Sequence, residues 1–249
     1  MENNTKVVLV TGSSGGIGAF LTKSFAEKGY NVVIHYNSNI ESAKAVEEEI
    51  NAKYSNVKTM IVKANLVREK QVMAMMAKIK RKLGSVDILV NNAGIYKNGI
   101  SWKLSKKDWD SVISVNLTAP FICIKHVLPD MRAKGWGRIL NISSVLGQIG
   151  TIGGCNYSAS KAGLFGLTKS IAKEVANKNI TVNCVILGYF DVGMTWTLSQ
   201  EIRDWVLSQT LLKRFGKPEE LASLILYLCI ENASFITGQL IHVNGGFHV

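Results

Sequence analysis

Lys6-Val-Val-Leu-Val10, running straight into Thr11-Gly-Ser-Ser-Gly-Gly-Ile-Gly18, is the stretch that decides the fold. Its first five residues are a short apolar run dominated by valine, with the length and composition of a buried strand. From Gly15 to Lys28, apolar Ile17, Phe20, Leu21 and Phe25 recur at helical spacing. Between strand and helix the glycines at 12, 16 and 18 give G-x-x-x-G-x-G. Gly12 suits a tight turn, Gly16 close approach of backbone to a pyrophosphate, and Gly18 close packing of helix on strand. The helix start adds free N–H groups and partial positive charge. The strand–turn–helix setting favours a dinucleotide cradle over an ordinary glycine-rich turn. Gly12, Ser14, Gly16, Ile17 and Gly18 are its candidate residues. No Walker lysine follows, which argues against a P-loop nucleotidase.

Outward from this unit, strand and helix patterns alternate to the end of the chain. Strands are expected at 6–10, 31–35, 57–62, 86–90, 138–142, 180–186 and 239–243. Helices are expected at 15–28, 39–53, 68–82, about 105–133, about 155–177 and 218–229. Such alternation implies βαβ units and right-handed crossovers. The expected fold class is α/β: a single-domain Rossmann-type doubly wound parallel sheet with helices on both faces, spanning 1–249. The irregular, aromatic-rich region of about 188–215 holds Tyr189, Phe190, Met194, Trp196 and Trp205. It reads as a lid over a ligand crevice, with an extra packed helix or an oligomer contact as the competing readings.

The 249 residues suffice for one large domain, and 47% hydrophobic with 19% charged is an ordinary globular balance. The net charge of +11 lacks the basic runs interleaved with aromatics that nucleic-acid platforms need. A basic surface attracts a phosphate-bearing cofactor or an acidic partner protein instead. No stretch reads as a membrane span, and Met1-Glu-Asn-Asn-Thr-Lys6 has no basic-then-apolar leader. Cys123, Cys155, Cys184 and Cys229 are widely spaced, as reduced thiols of a cytoplasmic protein would be. No metal-ligand spacing is present.

The chemistry centres on Tyr157-Ser-Ala-Ser-Lys161, with Ser144 upstream. Positions i and i+4 share a helix face, so phenol and ammonium become neighbours. A nearby positive charge favours phenolate, and a serine hydroxyl can hold a substrate oxygen beside it. Together they suit proton exchange with a carbonyl or alcohol oxygen. At the end of the second strand, His35-Tyr-Asn-Ser38 carries no acid to bond a ribose 2′-hydroxyl or to repel a 2′-phosphate. Tyr36, Asn37 and Ser38 there favour NADPH/NADP+ over NADH/NAD+.

The chain resembles the short-chain dehydrogenase/reductase family over nearly its whole length. The likeness rests on Thr11–Gly18, Asn91-Asn-Ala-Gly94, Asn116, Ser144, Tyr157-x-x-x-Lys161, Ile236-Thr-Gly-Gln239 and Val243-Asn-Gly-Gly246. Within the family it is most similar to the 3-oxoacyl-carrier-protein reductases of fatty-acid synthesis. The resemblance implies a nicotinamide cofactor and a homotetramer. Tyr157 would be the acid in reduction and the base in oxidation, with Lys161 lowering its pKa and Ser144 holding the substrate oxygen. Asn116 would anchor a water in the proton relay, or simply bond backbone. Ser143 competes with Ser144, but the family spacing points to Ser144. Asn92, Ala93, Gly94, Asn65, Leu66, Gly188 and Val192 would line the cofactor, and Tyr189, Met194 and Trp196 the substrate.

Four positions depart from the family pattern. Gly15 stands where NADPH-dependent relatives often carry a basic residue, and Asn65-Leu66 where an aspartate is usual. Leu187-Gly188 replaces Pro-Gly, and Val192 replaces a threonine, with Thr195 a substitute if the register shifts. The expected activity is reduction of a 3-oxoacyl group on an acidic acyl carrier protein, with Lys134 and Lys178 as docking candidates near the site. A sugar, polyol, steroid or small-ketone dehydrogenase, or a dinucleotide-binding scaffold with little turnover, are the alternatives.

Overall fold

The computed structural model describes residues 5–249, with the side chain of Met194 outside the described set. The reading of residues 1–4 as lacking a leader falls outside it too. Strands Val7–Val10 (β1), Asn31–Tyr36 (β2), Thr59–Lys63 (β3), Ile88–Asn91 (β4), Gly137–Ser144 (β5), Ile180–Leu187 (β6) and Leu240–Val243 (β7) form one sheet. Their order is β3-β2-β1-β4-β5-β6-β7, and every pairing is parallel. The helices are Gly16–Glu27 (α1), Ile40–Lys53 (α2), Glu69–Leu83 (α3), Lys106–Ile113 (α4), Ala119–Lys134 (α5), Leu146–Ile149 (α6), Cys155–Val175 (α7), Gln200–Gln209 (α8) and Pro218–Cys229 (α9).

The continuous Val/Ile/Leu runs of the central strands are explained by burial on both faces. Val8, Val10, Val32 and Ile34 pack with Leu21 and Phe25 of α1, Val46 of α2 and Ile225 of α9. The alternate residues Val7, Leu9 and Val33 pack with Val72 and Ile79 of α3, Ile124 of α5 and Val175 of α7. The chain leaves β1 towards β2 and β3, then returns through β4 on the other side. Loops at the carboxyl ends of β1 and β4 therefore diverge, which opens the ligand crevice of this sheet type.

Two sequence expectations are corrected. The continuous helical run Lys106–Lys134 is long and apolar enough to cross a membrane by length and composition. Its apolar residues Val112, Ile122, Ile124, Val127 and Met131 are instead buried inside the fold. This run is also not one α-helix: Ser114–Thr118 is a π turn between α4 and α5. The region 188–215, read as irregular, contains α8, whose start is capped by Ser199 Oγ accepting from Ile202 N–H.

Candidate active site

The glycine turn has the shape its residues require. Gly12 adopts φ +67°, and a Cβ there would meet Ala93 Cα at 3.0 Å. Gly18 is tighter: its Cβ would lie 2.4 Å from Gly12 O and 2.6 Å from Asn92 Nδ2. The Thr11 hydroxyl accepts from both Asn92 and Ala93 N–H at 3.0 Å, and Asn92 Nδ2 donates to Thr11 O at 2.9 Å. These bonds stitch the β1 and β4 ends together, so the Asn92 amide serves the turn itself. Gly15 is the N-cap of α1, no side chain caps that terminus, and no acid stands in the first turn. An uncapped, acid-free helix start beside close-packed glycines fits a pyrophosphate. Ser14 and Ile17 are half-buried on this rim, and Gly16 is exposed.

At the adenosine side, Asn37 and Ser38 are exposed at the end of β2, whereas Tyr36 is buried against the α1 and α2 face. Asn65 Oδ1 accepts from Val67 N–H at 3.2 Å. The Leu66 side chain is a core residue beside α3, so only its backbone can serve a ligand.

Ser144 ends β5, and Tyr157 and Lys161 stand in the first turns of α7. The two serines part roles clearly. Ser143 Oγ is buried and donates to Lys161 O at 2.9 Å, while Ser144 Oγ accepts from Leu146 N–H at 3.2 Å and faces the Tyr157 phenol. Lys161 Nζ donates to Ile142 O at 2.8 Å and lies 5.6 Å from the Tyr157 ring centroid. Burial lowers the Lys161 pKa to about 8, partly opposed by Cys184. Burial raises Tyr157 to about 12; the neighbouring Ser144 hydroxyl lowers it in part, and Tyr189 and Tyr96 push in the same upward direction as burial. The expected lowering of the phenol by Lys161 is not found here: burial sets the direction, and the ammonium is directed to Ile142 O.

Asn116 sits in the π turn, 1% exposed. Its Oδ1 accepts from Ile95 N–H at 2.8 Å, and its Nδ2 donates to Ile95 O at 2.9 Å and Ser160 Oγ at 3.2 Å. Both amide hydrogens are committed, so the side chain clamps the loop after β4. A Cβ on Gly94 would lie 3.4 Å from Asn116 Oδ1 and 3.6 Å from Lys161 Nζ. Bare backbone at Gly94 is what lets amide and ammonium face the same space.

Aromatic rings wall the site. Tyr96 packs edge-on to Tyr157 at 5.1 Å, and Tyr189 meets Phe247 at 5.3 Å. Trp205 of α8 reaches the same Phe247 at 5.7 Å. At the start of α7, an open cavity of about 210 Å³ is lined by Ile100, Trp102, Thr151, Ile152 and Cys155 among others.

A short-chain dehydrogenase family model matches residues 6–203. The chain belongs to the short-chain dehydrogenases. It is accordingly an NAD(P)-dependent oxidoreductase acting on C=O or CH–OH groups. Among curated relatives it is similar to 3-oxoacyl-[acyl-carrier-protein] reductase FabG of Aquifex aeolicus, 47% identical over 97% of this chain and 96% of the relative. The protein of the same name from Staphylococcus aureus strain Mu50 is 43% identical over 98% and 99%. Nodulation protein G of Azospirillum brasilense is 39% identical over 98% of each chain.

Against this short-chain dehydrogenase frame some placements differ from expectation. Lys134 ends α5 and Lys178 precedes β6, so within the chain both lie at the amino ends of the strands, opposite Tyr157. Lys134 is moreover bound to Asp87 at 2.6 Å, and neither lysine stands near the site. Trp196 is exposed, its Nε1–H held by Asp191 at 3.0 Å. Val192 packs on the core beside α1, and Gly188 lies at the end of β6. Tyr96, Phe247 and His35 were not singled out from sequence. Only Tyr96 carried a signal, an aromatic two residues beyond Asn91-Asn-Ala-Gly94.

Proposed function

We propose that the chain is an NADPH-dependent reductase of a 3-oxoacyl group carried on an acyl carrier protein. The observation that carries this is the Ser144–Tyr157–Lys161 group opening beside the uncapped glycine cradle. The FabG relatives and the apolar cavity at the start of α7 support the acyl substrate. When bound, the nicotinamide dinucleotide supplies the hydride.

The remaining steps belong to the chain's own residues. Gly12, Ser14, Gly16, Ile17 and Gly18 hold the pyrophosphate, and Asn37 and Ser38 hydrogen-bond a 2′-phosphate where no carboxylate repels it. Asn65, Leu66, Ala93 and Gly94 line the adenosine side. Gly188 and the Val192 backbone serve the nicotinamide amide, for which the Val192 side chain offers no hydroxyl. Ser144 Oγ orients the substrate carbonyl, and Tyr157 Oη donates a proton to its oxygen as negative charge builds there. A phenol raised to about 12 is protonated at neutral pH, the state that reduction needs at the start. Lys161 steadies the ribose. Asn116 Oδ1 and Lys161 Nζ, facing one another across Gly94, offer a path for reprotonation.

The segment 188–215 acts as the lid, with Tyr189 as its substrate-facing residue. The protein works in the cytoplasm as a homotetramer, for which exposed Phe121 on α5 offers apolar surface. The test is NADPH consumption with 3-oxoacyl carrier protein against a panel of sugars, steroids and small ketones. Turnover confined to the panel would refute the acyl reading.

A further inference from the structure

His35 is committed entirely inside the fold. Its backbone N–H donates to Ser13 Oγ at 2.8 Å, and its carbonyl accepts from Ser13 N–H at 3.0 Å. Its Nδ1 accepts from Gly12 N–H at 2.9 Å, and its Nε2 lies 3.0 Å from Ala64 O. An amide N–H only donates and a carbonyl only accepts, so the two ring bonds fix the neutral tautomer with its proton on Nε2. The ring, 2% exposed, therefore ties the turn after β1 to the end of β3. The residue it grips, Gly12, is held in the left-handed region at φ +67°.

We propose that His35 is a positioning residue of the dinucleotide site, its neutral Nδ1 holding the Gly12 amide, and with it the phosphate turn, in binding geometry. This deepens the dinucleotide reading and rests on it. An imidazolium carries N–H at both nitrogens. Protonation would set Nδ1–H against Gly12 N–H, and the ring or the turn would have to move.

Burial holds the His35 pKa below its ordinary value, opposed by the Ala64 bond. Ionisable groups on the elements packed near it include Tyr36, Lys63 at the end of β3, Arg68 and Glu69 at the start of α3, and Lys125 and His126 of α5. Glu69 is bonded by Lys125 and His126, and none of the six contributes to the shift at His35. Because the folded pKa lies below the unfolded value of about 6.5, the stabilisation is complete above that pH. It is lost as pH falls through that value towards the folded pKa. A packing histidine without this role would leave cofactor binding indifferent to the state of Nδ1.

Two measurements decide. Nitrogen-15 NMR of the wild-type protein without cofactor should show His35 with Nε2 protonated and Nδ1 bare at pH 7.5; the opposite tautomer overturns the proposal. Fluorescence titrations with NADP+ and NAD+, stepped from pH 7.5 down to the lowest pH at which the fold persists, then compare wild type, His35→Asn and His35→Phe. Asparagine keeps an acceptor near the Nδ1 position without a titrating ring, and a shared cofactor titration cancels in the comparison. Wild-type Kd should weaken more than that of H35N as pH falls through the folded pKa of His35, by up to about tenfold, the scale of one lost buried hydrogen bond. H35F should weaken binding about tenfold at pH 7.5. Equal pH dependence in wild type and H35N overturns the proposal, even if H35F fails to fold. Wild type that binds neither dinucleotide at pH 7.5 overturns the dinucleotide reading itself. Wild type that binds while its variants match it overturns the role of His35 alone.

Discussion

Replacing Gly18 by alanine tests how closely the glycine turn is built. The added Cβ would stand 2.4 Å from Gly12 O, 3.0 Å from Gly12 C and 2.6 Å from Asn92 Nδ2. Ordinary contact needs roughly 3.5 Å, so backbone must move by about 1 Å. Overpacking of this kind costs about 1–3 kcal/mol. Displacing Asn92 from Thr11 O removes a half-buried bond and adds about 1 kcal/mol. Alanine's better helix propensity returns about 1 kcal/mol, leaving a net cost of about 1–3 kcal/mol. For a chain of this size that is a fall in Tm of about 2–12 °C. The displaced turn should also weaken dinucleotide binding. The matched control is Gly15→Ala, where a Cβ meets nothing within 4 Å and the backbone is extended; it should change stability by under about 0.5 kcal/mol. Thermal unfolding and fluorescence titration read both effects. If G18A melts and binds like G15A, the close packing of α1 on the β1 turn is not what shapes the cradle.

Other outcomes follow from the same geometry. Tyr157→Phe should lower turnover about 10²–10⁴-fold while leaving dinucleotide Kd and Tm near wild type, read by steady-state kinetics and titration. Asn116→Ala strips both Ile95 backbone groups of their partners and should cost about 3 kcal/mol in denaturant unfolding. Lys161, with its pKa lowered to about 8, contributes stability that is complete above the unfolded value of about 10.4 and lost as pH falls to the folded one. Wild type should therefore gain about 3 kcal/mol relative to Lys161→Met between those limits, measured by denaturant unfolding at stepped pH.

Much of the fold is legible because the parallel strands are short, β-branched and buried on both faces, so each stands out against the helices between them. The π turn at Ser114–Thr118 is not legible: a few residues of wider winding leave a helical hydrophobic pattern nearly unchanged. Helix α8 escapes because Ile202 and Trp205 are exposed and Val206 is its buried residue, so no apolar stripe marks it. The site divides in the same way. Tyr157, Lys161 and the glycines are legible because the i, i+4 pair and the glycine spacing are local patterns in the chain. Ser143 and Ser144 separate only in space, where one bonds Lys161 O and the other faces the phenol. His35 on Gly12, and Phe247 between Tyr189 and Trp205, are long-range contacts with no local pattern. The placement of Lys134 was missed because sequence marks charge but not which end of the sheet a helix terminus reaches. The effect of Lys161 on Tyr157 was misjudged for a related reason: i, i+4 spacing brings the groups together but is silent on burial, which dominates both.

The central claim is that Tyr157 gives its proton to a 3-oxoacyl carbonyl while NADPH is consumed. The most direct test follows reduced-nicotinamide absorbance with 3-oxoacyl carrier protein, with NADPH and NADH in parallel, in wild type and Tyr157→Phe. The account predicts rapid oxidation with NADPH, slower oxidation with NADH, and formation of 3-hydroxyacyl product that is lost in the variant. Turnover that survives in Tyr157→Phe, or wild type that binds NADPH yet leaves the acyl substrate unchanged, would contradict it.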